Sequence, residues 1–144
     1  MQKYQTMNIR NKYVNYVDKT SICVNGKEIM ESDNLKLLGV TIDCSLNFNL
    51  HISNVCKKAS QRIGVIMRLR NLIPTKAKLH LFKAAILPYL TYCHLVWHFC
   101  RASDTRRLER VQERGLRAVF KDKKSSYQQL LKKAKLPSLF NRRL

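Results

Sequence analysis

After Asp43 the hydrophobic period of this chain changes, and that change divides what it can fold into. Before it, β-forming residues come in short runs bounded by turn residues; after it, apolar residues recur at helical spacing almost to the end. A sheet-forming segment followed by a helix-forming one, in a chain of 144 residues, predicts one α+β fold, mostly α. It should consist of a small N-terminal antiparallel hairpin sheet and then a helical bundle. The boundary falls between residues 1–46 and 47–144.

In the first segment, residues 1–12 are polar with scattered apolar positions, read as a short strand ending in a turn at Asn11-Lys12. Val14, Tyr16 and Val17 suggest another strand. Asn25-Gly26 has apolar residues on both sides, the strongest short hairpin signal, because both positions tolerate positive φ. It pairs Ser21 to Val24 with Lys27 to Met30. After the polar loop Glu31 to Asn34, Leu35 to Asp43 reads as one further strand, with Gly39 marking a bulge or a close backbone approach.

In the second segment, Ile52, Val55, Cys56, Ala59, Ile63 and Ile66 share one face of a helix from about Asn49 to Arg70. Asn71 to Pro74 ends it, and Pro74 or Thr75 opens the next, which carries Leu79, Phe82, Ala85 and Ile86 inward until Pro88 bends or restarts it. Ile86 to Trp97 is the most apolar run in the chain and holds its only tryptophan. It is too short to span a bilayer, so it reads as a buried helix at the centre of the core. A third helix, capped by Ser103 or Asp104, has an apolar line of Leu108, Val111, Gly115 and Val119. Tyr127 to Lys135 forms a short final helix.

Charge says more about partners than about fold. Lys and Arg number 28 against 9 Asp and Glu, a formal +19 spread along the sequence. Such a surface repels itself and fits a polyanionic partner, most often nucleic acid. On the third helix Arg107, Arg110, Arg114, Arg117 and Lys121 follow one another at alternating spacings of about three and four, which stacks cations along one edge as a phosphate backbone would require. Lys57, Lys58, Arg62 and Arg68 lie off the apolar face of the first helix. The bland alternative is a solvated face, with Glu109 and Glu113 pairing with neighbouring arginines.

Other chemistries find little support. Metal-dependent phosphoryl transfer needs clustered carboxylates, and no two acidic residues are adjacent; only the fold could join Glu31 to Asp43. His94, His98 and Cys100 have donor types that suit zinc, but stand in an apolar run with no second His/Cys cluster. A Cys–His nucleophile lacks an orienting group. No phosphate-binding glycine loop or nucleophile elbow occurs. Five cysteines without a CxxC pair, and no apolar signal segment, fit free thiols in an intracellular, nuclear or cytoplasmic setting, with no membrane role.

Four segments, in order, resemble the region downstream of the catalytic palm in reverse transcriptases of non-LTR (LINE-type) retrotransposons. Asn34-Leu-Lys-Leu-Leu-Gly-Val-Thr-Ile-Asp43 is similar to that family's K-Y-L-G-V-x-I-D strand, and Leu46-Asn-Phe-Asn-Leu-His51 to the link after it. Val55-Cys-Lys-Lys-Ala59 opens the long helix. Ile86 to Trp97 is similar to P-x-L-x-Y-G/C-x-x-V-W, and Leu108-Glu-Arg-Val-Gln112 through Phe120 to L-x-x-L/V-Q-x-x-x-x-R-x-I. Lys3 to Met7 resembles the end of a palm strand without its Asn. The resemblance covers roughly residues 20 to 120. It implies that Leu37, Leu38 and Gly39 correspond to the primer-grip hairpin and the later helices to the thumb. The family's Asp-Asp loop lies upstream of this region, so the chain is expected to grip an RNA, DNA or RNA–DNA template-primer duplex without polymerising alone. It would need no cofactor of its own; magnesium would belong to the missing palm, and the fingers and palm would be partners. The grip would use Lys57, Lys58, Arg62, Arg68, Arg107, Arg110, Arg114 and Arg117. The competing reading is a free-standing basic helical RNA- or DNA-binding protein with no polymerase role.

Overall fold

The computed structural model describes residues 4–9 and 21–143. The expected Asn11-Lys12 turn and the strand at Val14 to Val17 lie outside them. The chain divides into two compact units, residues 1–51 and 52–144.

The first unit is built from two hairpins. Strands β1 (Ile22–Val24) and β2 (Lys27–Ile29) pair antiparallel, Cys23 opposite Glu28. Asn25 and Gly26 both take positive φ, 51° and 73°, as the two-residue turn requires. The single strand expected over Leu35 to Asp43 is instead a second hairpin, β3 (Asn34–Leu37) and β4 (Val40–Asp43). Leu38 and Gly39 form its turn at φ 46° and 87°. Gly39 is therefore a turn residue and not a bulge. A leucine in the left-handed region is sterically unfavourable and gives no turn signal, which is why the residues alone read as continuous strand. Thr6 bridges to Glu31 in parallel, and the Ser32 N–H donates to its carbonyl at 2.9 Å.

Past β4, Asp43 turns the chain. Its carboxylate accepts the backbone N–H groups of Ser45, Asn47 and Phe48 at 3.1, 3.1 and 2.7 Å. Leu46 and Phe48 adopt positive φ within that turn. Helix α1 (Asn49–Arg68) follows, and within the first unit the Thr41 N–H donates to His51 Nδ1 at 3.2 Å.

The second unit is helical. After α1 the chain passes through turns to α2 (Thr75–Leu81), whose N-cap is Pro74. A π turn (Phe82–Ile86) joins it to α3 (Leu87–Thr91). Pro88 has no N–H to return to the preceding turn and its ring crowds the carbonyl there. The widened turn, closed from the Leu87 N–H to the Phe82 carbonyl, accommodates both. α4 (Ala102–Phe120) is the long element opposite α1; α5 (Tyr127–Ala134) starts on a Ser126/Gln129 capping box. A further helix, α6 (Leu139–Arg143), follows it, so α5 is not the last. The cap of α4 also differs from expectation: Arg101 is the N-cap, and Ser103 and Asp104 lie inside the first turn.

The core of this unit gathers Ala59 and Ile63 of α1, Phe82 and Ile86 of the π turn, Leu90 of α3, Trp97, and Leu108, Leu116 and Val119 of α4, all essentially without solvent exposure. The expected line of Leu108, Val111, Gly115 and Val119 is buried. The apolar run ending at Trp97 is corrected. The helix stops at Thr91, and residues 92 to 99 form successive turns, with Cys93 at φ 48°. Trp97 enters the core with its Nε1–H donating to the Tyr92 carbonyl at 3.1 Å, while Tyr92, Leu95, Val96 and Phe99 face solvent. An apolar run does not ensure burial; only part of it finds a place inside.

Candidate nucleic-acid interface

Helices α1 and α4 run parallel, as three contacts along their length establish. Near the starts of both helices Arg107 Nη1 donates to Ser53 Oγ at 2.8 Å. Midway, Gly115 passes Ile63 and Phe82 so closely that it has no room for a side chain. Just past their ends Lys121 Nζ donates to Asn71 Oδ1 at 2.9 Å. The stripe read from the sequence lies along this pair, spanning about 21 Å from Arg107 to Lys121 at ~1.5 Å per residue.

Where the two helices end, a groove of about 340 Å³ opens. It is lined by Met67, Arg70 and Asn71 on one side and by Arg114, Arg117, Ala118, Lys121 and Lys123 on the other. Five of these eight residues are cations. A cation near a helix C-terminus is favoured by the partial negative charge there, so some of the clustering serves the helices themselves.

Arg117 shows this plainly. Its guanidinium donates to Glu113 Oε1 at 2.7 and 3.2 Å and to the carbonyl of Lys123 at 2.9 Å, so it caps the end of α4. Arg62 is occupied in the same way, donating to the Ala85 carbonyl at 2.7 Å and the Tyr89 hydroxyl at 2.8 Å with its guanidinium 3.9 Å above the Tyr89 ring. With Arg107, bonded to Ser53, three of the residues assigned to phosphate are thus held by internal partners. Arg68 stays exposed, with a long contact of 3.5 Å from Nε to the Gly64 carbonyl. Lys57 and Lys58 are exposed on α1, roughly ten residues or ~15 Å along the helix from the groove. Arg110 and Arg114 are exposed, and they, like Arg70 and Lys123 in the groove, make no side-chain hydrogen bond or ion pair among the described residues. Leu37, Leu38 and Gly39 form the exposed tip of the second hairpin, with Leu38 82% exposed.

Beneath the groove lies a residue that the sequence reading missed. Lys78 of α2 is fully buried, its Nζ donating to the Arg70 carbonyl at 3.3 Å. Burial lowers its pKa from the ordinary lysine value, and Lys121 lowers it further. Its spacing of four before the inward Phe82 was the available signal. Arg70 and Lys123 were also missed, since they stand just beyond helix ends where periodicity stops.

The other candidate groups separate. His94 Nδ1 lies 2.7 Å from the Thr91 carbonyl, His98 stacks on Phe140, and Cys100 Sγ is 3.5 Å from Thr105 Oγ1. Among the described residues no three His, Cys, Asp or Glu side chains gather as a metal site, and the Asp43 carboxylate is taken by backbone. The five cysteines are free, and burial raises the Cys56 thiol. Among the described residues no helix is long and apolar enough to cross a membrane.

No family model matches the sequence, and no solved structure matches it. Two curated proteins do. The RNA-directed DNA polymerase from mobile element jockey of Drosophila melanogaster is 26% identical over 113 residues, covering 74% of this chain and 12% of that protein. The corresponding polymerase of Drosophila funebris is 25% identical over 105 residues, covering 71% of this chain and 12% of its own. The chain thus spans a small part of the length of the relatives it matches. Over most of that span it is similar to non-LTR mobile-element reverse transcriptases, the family that its four segments resemble.

Proposed function

We propose that this chain grips a template-primer duplex as the thumb-like part of a reverse transcriptase, through sequence-independent contacts to the phosphate backbone. In this reading residues 1–46 are the end of a palm with its primer-grip hairpin, and residues 47–144 are the thumb. The observation that carries the proposal is the groove between the ends of α1 and α4, where Arg70, Arg114 and Lys123 converge without internal partners. Lone cations scattered over a surface need no ligand; three unpaired ones around one concavity repel each other unless an anion joins them.

The working residues divide by availability. Arg110 and Arg114 carry most of the contact from α4, joined by Arg70, Lys121 and Lys123 in the groove and by Arg68 next to it; Arg107, bonded to Ser53 near the starts of the two helices, extends the track away from the groove. Lys57 and Lys58 extend the track along α1. Arg62 and Arg117 act indirectly, by holding the π turn and the end of α4. Leu37, Leu38 and Gly39 offer a primer an apolar tip. The chain holds no metal in this reading, and the magnesium and aspartates of phosphoryl transfer belong to a palm elsewhere in a complete polymerase.

The test is binding of a fluorescent RNA–DNA hybrid by anisotropy across a salt series. Neutralising about four phosphates gives a slope of log K against log salt of roughly −3 to −4. Arg110→Ala with Arg114→Ala should weaken binding for every sequence alike and flatten the slope by about two. Binding that is insensitive to salt, or unchanged in the double variant, would refute the reading.

A further inference from the structure

We propose a second nucleic-acid surface, separate from the groove, at which unpaired bases of a single strand stack on the ring of Phe99. Phe99 is 93% exposed and Leu95 73% exposed, in the turn-rich stretch between α3 and α4. A phenylalanine so fully presented gains nothing for folding. It leaves nearly the whole ring open to solvent.

The ring is also held in position. His98 packs against it edge-on with centroids 5.1 Å apart, and stacks in turn on Phe140 of α6 at 6.4 Å and 28°. Phe140 is fixed in its turn, its N–H donating to Glu109 Oε1 at 2.8 Å. Glu109 also accepts the Tyr127 hydroxyl, so each of its carboxylate oxygens takes one hydrogen bond. Three rings therefore follow one another across the surface.

The charge around them selects the partner. Residues 92–101 and 139–143 contain no carboxylate, while Arg101 and Arg142 are exposed two residues after Phe99 and Phe140. Bases offer π faces to the rings while their phosphates meet the arginines, the combination by which single strands are held without sequence preference. A second copy of this chain would bring the same positive charge to the patch and be repelled. A duplex keeps its bases stacked inside and has no face to offer Phe99. A single-strand surface near the start of α4, with a duplex-binding groove at its end, fits a protein that handles a template-primer junction; this surface stands on its own observations even if the groove proves to bind nothing.

The probe is a fluorescein-labelled oligo(dT) of about 12 nucleotides, within the site sizes of such platforms, measured beside an RNA–DNA duplex. Phe99→Ala should weaken oligo(dT) binding about tenfold and leave duplex binding unchanged, the loss of one stacked base. Phe99→Trp should retain affinity, and its exposed indole should be quenched by the oligonucleotide, against a background from Trp97, which is buried and inaccessible. Arg114→Ala should weaken the duplex and leave that quenching intact. The proposal is overturned if Phe99→Ala changes oligo(dT) affinity less than twofold, if the introduced tryptophan is not quenched, or if Phe99→Ala alters only self-association or binding of an acidic protein.

Discussion

Gly115 offers the sharpest test of how α4 is seated. A Cβ placed there lies 3.1 Å from Phe82 Cδ2, nearer still to Phe82 Cε2, and 3.3 Å from Ile63 Cδ1. Phe82 and Ile63 are both fully buried, so neither ring nor methyl can swing into solvent. Gly64, on α1, has nothing within 4 Å of the same constructed atom. Each glycine replaced by alanine gains helix propensity, up to ~1 kcal/mol. In the difference between the two variants that gain cancels and only packing remains. Overpacking of a closed core costs about 1–3 kcal/mol, and a β-carbon inside van der Waals contact with a fixed ring belongs at the upper end. Gly64→Ala should therefore be more stable than the parent by up to ~1 kcal/mol. Gly115→Ala should be less stable by about 2 kcal/mol. Urea denaturation followed by Trp97 fluorescence reads both, with midpoints compared at equal m-value. Adding Phe82→Leu to Gly115→Ala should recover part of the loss, giving a favourable coupling between the two sites. If Gly115→Ala matched Gly64→Ala in stability, the close packing of α4 on Phe82 and Ile63 would be wrong.

Other expectations follow from the same structure. Arg62→Met removes the donors to the Ala85 carbonyl and Tyr89, and should cost about 1–3 kcal/mol of stability with hybrid affinity per folded molecule nearly unchanged; Arg114→Ala should do the reverse, and a swap of these outcomes would reject the division between holding and gripping residues. Lys78 carries a pKa lowered by burial, so the unfolded chain binds more protons than the folded one as pH rises toward the normal lysine value; stability should climb over that alkaline window, and Lys78→Met should flatten the climb in pH-dependent urea melts. Asp122 is held below the usual carboxylate range by Lys133, with Ser125 assisting; its stabilisation is present above the unfolded value of about 3.9 and fades as pH falls below it, and Asp122→Asn should reduce that acid sensitivity.

These outcomes bear on how much of the molecule can be read from its residues. Asn25-Gly26 announces its hairpin because both side chains accept the left-handed backbone that the turn demands. Leu38-Gly39 makes an equivalent turn but hides it, since leucine pays a steric cost that only the surrounding pairing recovers. The long helices were legible from apolar spacing, yet the same hydrophobicity misled at residues 92 to 99, where one tryptophan reaches the core and its neighbours remain outside. Lys78 shows the converse, a charged residue taken into the core because the Arg70 carbonyl meets its amine there.

The candidate interface divides along similar lines. Helical spacing was enough to place Arg107, Arg110, Arg114, Arg117 and Lys121 on one edge, but spacing carries no information about what lies opposite that edge. Arg117 meets Glu113 and two carbonyls, Arg62 meets a tyrosine from another helix, and these partners exist only once the chain has folded. The free cations are those whose neighbours across the groove are also cations. Mutual repulsion at that end of the helices has a cost that the Glu113 carboxylate offsets for Arg117 alone, and an anion bound there would offset the rest. Added polyphosphate should accordingly raise the melting temperature of the parent protein more than that of Arg114→Ala, because ligand binding stabilises by mass action only where a site is present. An equal rise in both would mean that the groove attracts anions no better than the rest of a +19 surface.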